Sequence, residues 1–197
     1  MKQNRLVISG YVLIALAMVP AACAAAASEC IVPKPTAASA TWNFQREANK
    51  IFEDVRFDAG QATNHAEELQ SMVSRADSLT WLSDVTQLDQ IRTEVNDMGV
   101  KLCRLETIRR GVDPWQQKTI DRIAADVTLL ADNTRDTTAF GDTHRQTLWT
   151  PAFQRDVGNL YIEARTLTQS AKNAVEHAKG NRQHETLWKD LNGKSSF

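Results

Sequence analysis

Sequence motifs for chemistry are what this chain lacks. It has no CxxC and no CxxCH, so thioredoxin-like redox chemistry and covalently attached haem are both without their cysteines. GxSxG, GxxxxGKS/T, GxGxxG and HExxH are absent too. None of its four histidines follows a glutamate by three positions, which excludes the Glu-x-x-His pairs of di-iron bundles. Acidic and basic residues are interspersed, so no basic stripe points to nucleic acid and no polybasic cluster points to anionic lipid. Beyond the first 20 residues no apolar run approaches the ~20 residues that a bilayer span needs.

What is present begins with an export signal. Lys2 and Arg5 precede an almost unbroken apolar run from Leu6 to Val19. Pro20 breaks it, and small residues follow from Ala21 to Ala27. That is the three-part layout of a secretory signal peptide. Residues 1–27 are expected to be removed between Ala21 and Ser28, leaving a periplasmic or secreted protein without a transmembrane span. Two cleavage readings stand. Ala25-Ala26-Ala27 before Ser28 suits a peptidase that wants small residues. Pro20-Ala21-Ala22-Cys23 resembles a lipoprotein box, which would put a lipid anchor on Cys23, although such boxes favour Leu or Val where Pro20 stands. Taking the cations Lys2 and Arg5 from a net charge of −1 leaves −3.

With Cys23 in the signal region, Cys30 and Cys103 remain. An even pair in an oxidising compartment is expected to form a structural disulfide, which would close a long loop and stabilise by about 4 kcal/mol. Residues 28–40 are rich in Ala, Ser, Thr and Pro without a period, and read as an irregular lead-in.

Residues 41–180 carry four apolar seams at alternating steps of three and four. The first helix runs from about Thr41 to Ala76, its seam including Phe52, Val55, Ala59, Ala62, Ala66 and Leu69. Half of that seam is alanine, so neighbouring helices can approach closely. The second starts near Ser78 or Thr80, follows Leu88, Ile91, Val95, Met98, Leu102 and Leu105, and ends at Gly111. Asp113-Pro114, an N-cap followed by proline, opens the third. Its seam of Ile120, Ile123, Val127 and Leu130 turns polar at Thr134 and Thr137. Residues 139–149 read as the one long connection. Thr150-Pro151 repeats the cap-and-proline start, and a seam from Phe153 to Ala178 closes at Gly180. The tail, 181–197, holds a short amphipathic helix at Leu187, Trp188 and Leu191, able to fold back. Short connections between long helices imply an all-α, antiparallel up-down-up-down four-helix bundle. Leu69, Leu102, Ile123 and Leu160 are expected in its core, and charged residues outside it.

Trp42, Trp81, Trp115 and Trp149 each mark a helix start. In such a bundle Trp42 and Trp115 share one end, and Trp81 and Trp149 the other. They read either as aromatic lids or, at the second end, as a binding cleft. There Thr134 and Thr137 pack loosely and the connection supplies Phe140 and His144. His65 and His177 flank the core and are expected at the surface. His177, His184 and Glu185 have no fixed geometry for a metal.

The stretch Pro114-Trp115-Gln116-Gln117-Lys118-Thr119-Ile120-Asp121-Arg122-Ile123, in a helix that ends near Asn133-Thr134, resembles exported bacterial helical-bundle proteins with no assigned activity. The resemblance covers helices two to four and implies the fold alone. The expected function is that of a non-enzymatic envelope scaffold or interaction module, without cofactor, whose partner is an unidentified envelope protein. The rival is a small-ligand or metal-binding domain of the sensor type, using the Trp81/Trp149 end.

Overall fold

Asn43 starts the first helix: its side-chain oxygen accepts from the Arg46 N–H at 2.8 Å, capping a backbone donor that has no intrahelical partner. A computed structural model describes residues 43–75, 81–145 and 150–193, with only the backbone given for 81–83, 185 and 187–193. Helix α1 spans Phe44–Val73, α2 Trp81–Ile108, α3 Pro114–Thr143 and α4 Pro151–Gly193, with a single 3-10 turn, Arg109–Gly111, after α2. Among the described residues there is no strand. All of them belong to one compact unit, Val32–Phe197, while a second unit, Met1–Ile31, lies outside the description. The export signal, Cys23, Cys30 and Trp42 therefore fall outside it too.

The helix boundaries follow local chemistry, with two departures from the sequence reading. Pro114 opens α3 as expected, and the Gln116 side chain reaches back to accept from the Asp113 N–H at 3.0 Å. However, α3 continues through 139–143 and shortens the expected long connection. Phe140, on that last turn, stacks on Phe153 of α4 with ring centroids 5.9 Å apart, so packing extends the helix. Likewise α4 does not close at Gly180 but runs 43 residues to Gly193. Gly180 keeps negative φ in open space, and one exposed glycine costs a helix only about 1 kcal/mol relative to alanine. The tail segment around Leu187 continues α4 as far as Gly193 rather than forming a separate helix.

Helix α1 packs on α2 and α4, and α3 packs on the same two neighbours. The seams form the core: Phe52, Leu69, Leu88, Ile123, Leu130 and Leu160 are all fully covered. Each such side chain contributes about 1.5–3 kcal/mol on leaving water. Leu102 departs from expectation, being half-buried at the edge of the core. Polar pairs tie the helices across their flanks. Arg104 of α2 meets Glu47 of α1 at 2.6 Å, Lys101 meets Asp58, and His65 Nδ1 lies 2.9 Å from Gln87 Oε1. Between α1 and α4, Thr63 bonds Thr168 at 2.9 Å, and the Gln154 amide donates to the Val73 carbonyl at 3.3 Å. Between α3 and α4, Asn133 donates to Glu163. The same carboxyl of Glu163 is pushed up from its ordinary pKa, chiefly by burial, against the lowering effect of Asn133.

The expectation that charges stay out of the core fails twice. Asp58 is 6% exposed and Asp84 is fully covered. The reasons differ. Asp58 is held by Lys101, a neighbouring-helix cation, whereas Asp84 stands on a seam position, four residues before Leu88.

A polar cleft at Trp115 and a buried carboxyl at Asp84

The residues expected to line a cleft divide three ways. Thr134 and Thr137 are each 2% exposed. Each sits on the α3 seam, and the Thr134 hydroxyl donates back to the Leu130 carbonyl at 2.6 Å, which satisfies it within its own helix. Phe140 is half-buried, with exposed His144 stacked on it at 4.2 Å and Phe153 stacked against it at 5.9 Å. The side chain of Trp81, together with Ala76 and Trp149, lies outside the described residues. Helices α2 and α3 do leave a groove of about 370 Å³ beside Arg92, Val95, Thr134 and Thr138.

Asp84 is the chemical feature that the apolar pattern hides. Neither carboxylate oxygen has a hydrogen-bond partner among the described residues. Taking the charged form out of water without compensation is costly, so burial pushes its pKa from 3.8 up to about 6. A seam extended backwards from Leu88 by four residues reaches it. Reading the seam from apolar residues alone stops one step short.

The more developed cavity lies elsewhere, where the starts of α1 and α3 meet the late turns of α4. It holds about 490 Å³, within the range of small-molecule sites. Gln116 organises the region. It is fully covered, and its amide nitrogen donates to the Gln45 carbonyl at 3.0 Å and to Asn49 Oδ1 at 2.9 Å, while its oxygen takes the Asp113 N–H. One side chain thus joins the first turns of two helices and presents Asn49 and Trp115 to the cleft. The Trp115 ring packs against Phe52 at 6.3 Å, tilted 48°, and meets His177 edge-on at 4.4 Å. Its Nε1–H is covered yet has no partner among the described residues. From α1 come Arg46 and Lys50, from α4 Arg182, which lies 3.8 Å from Glu53.

His65 and His177 are thus less idle than their flanking positions suggested: His65 is half-buried and bonded, His177 exposed but against an indole. Among the described residues no three His, Cys, Asp or Glu side chains gather as a metal site would need. Cys103 is half-buried on α2 and is not a free group, while Cys30 lies outside the described residues. No described helix is long and apolar enough to cross a membrane. Comparisons with family models, with curated proteins and with solved structures return no match.

Proposed function

We propose that this chain is an exported, non-enzymatic helical bundle that acts by contact, as an envelope scaffold or interaction module. The observation that carries this is where the ionisable groups lie. Catalysis needs titratable groups gathered in a partly dry site. Here most acids and bases lie on outer faces and pair with one another, within a helix as Lys50 does with Asp54 at 2.6 Å, or between helices as Arg104 does with Glu47 at 2.6 Å. Of the two buried carboxyls, Asp58 is paired with Lys101 and Asp84 has no partner among the described residues. The up-down-up-down topology belongs to the same proposal. In its support, partner numbers fall along one helix as they rise along the next: Glu47 with Arg104 and His65 with Gln87, or Glu53 with Arg182 and Thr63 with Thr168. Kinship with exported bacterial helical-bundle proteins rests on the Pro114–Ile123 stretch.

Fractionation and mass spectrometry test the export half. The mature N-terminus should fall between Ala21 and Ser28, with or without lipid on Cys23, and Cys30 should be joined to Cys103. A cytoplasmic chain with an intact leader would overturn export, and two free thiols would overturn the bridge. Crosslinking in cells tests the contact half, which expects one reproducible envelope partner.

A second reading, a small-ligand binder, is favoured by one specific observation, the polar cleft at Trp115. A ligand bound only by the folded state raises the melting temperature by mass action, so a thermal-shift screen separates the two readings.

A further inference from the structure

We propose that the Trp115 cleft binds a small organic carboxylate, an inference that rests on the small-ligand reading above. The argument starts from unmet hydrogen-bonding capacity. Protein interiors rarely leave a covered N–H without an acceptor. The Trp115 Nε1–H is such a group, and Trp115 lines a cleft of about 490 Å³. The other polar groups there leave mainly donors over. Asn49 Oδ1 is taken by Gln116, which leaves the Asn49 amide hydrogens for a ligand. The acids of the region are engaged: Asp54 by Lys50 at 2.6 Å, Glu53 by Arg182 at 3.8 Å, and Asp113 at the N-cap of α3. Arg46, exposed at the rim, has no counter-ion among the described residues.

A donor-rich cleft with one unpaired guanidinium asks for an anionic acceptor, and guanidinium matches the two oxygens of a carboxylate in one plane. A sugar stacked on the indole fits less well, because Phe52 and His177 already pack against the ring. The volume admits a molecule of small-metabolite size rather than a peptide segment. Since the indole N–H is covered, the acceptor reaches it only as side chains around the ring shift, and exposed His177, edge-on to the indole at 4.4 Å, is one that can.

The test uses the full chain, purified after export and labelled with ¹⁵N, and reads the indole N–H resonances. Loss of one resonance in Trp115→Phe assigns it; should that variant fail to fold, sequential assignment replaces it. Benzoate and succinate are titrated against the uncharged benzamide. The expected result is a saturable shift of the Trp115 indole signal with the carboxylates, absent with benzamide and weakened about tenfold in Arg46→Gln and in Asn49→Ala. Equal binding of benzamide would overturn the carboxylate assignment and leave a ligand site in place. No movement of the Trp115 signal with any of the three would overturn the cleft as a site, and the small-ligand reading with it.

Discussion

Gln116 and Asp84 are both fully covered polar side chains, each at the first step of a helix seam, four residues before Ile120 and Leu88 respectively. Gln116 meets an acceptor or donor with each end of its amide, and so joins α1 to α3. Asp84 meets none among the described residues. The comparison teaches that burial by itself decides little. A neutral group whose partners are built in specifies how two helices meet, whereas a carboxyl without partners makes the fold depend on proton concentration.

The largest effect expected from this contrast lies at Asp84. Its folded pKa, about 6, exceeds the ordinary 3.8. Between those values the folded chain keeps a proton that the unfolded chain has released. Stability therefore falls as pH rises from about 4 to about 6, and the loss is complete above that. Two units correspond to about 3 kcal/mol. Asp84→Asn should be more stable than the parent by that amount at pH 7.5 and nearly equal to it at pH 4, read from urea midpoints. Equal differences at both pH values would show that the carboxyl is not held in an apolar setting.

Asp58 offers the intermediate case, a covered carboxylate that does have a cation, Lys101. Lys101→Met should turn it into a second Asp84. A loss of about 2 kcal/mol is expected at pH 7.5, because a covered carboxylate is left without its cation. If the variant matches the parent at neutral pH, the pairing contributes nothing. Gln116→Leu keeps the volume but strands the Asp113 N–H, the Gln45 carbonyl and Asn49. It should cost about 1–2 kcal/mol, equally at pH 4 and pH 7.5. A pH-dependent loss there would mean that Gln116 supports a titrating neighbour instead.

The seams were legible because apolar spacing of three and four survives any detail of packing, and so was Asp113-Pro114, where cap and proline agree on one boundary. Asp84 and Gln116 were not, because a pattern defined by apolar residues omits polar residues at the same positions. The Trp115 cleft was hidden for another reason. It gathers Asn49, Trp115 and Arg182 from three helices, and no local spacing announces that they meet. At Thr134 and Thr137 the seam does turn polar, and the Thr134 hydroxyl bonds back to its own helix, while Trp149 and the Trp81 side chain, expected to complete a cleft there, lie outside the described residues.

Alanine gives the pairing of α1 with α4 a character of its own. Ala59, Ala62 and Ala66 on one helix, and Ala164 and Ala171 on the other, are fully covered. Alanine has no side-chain rotamers to lose on folding, so these stretches order without that entropic penalty. There is also almost nothing to trim, since removing a methyl group leaves only glycine. Random substitution at these positions therefore acts nearly always in one direction, by crowding a position that is already fully covered. The pair should drift least in sequence, for reasons of shape that would hold whatever the cleft binds.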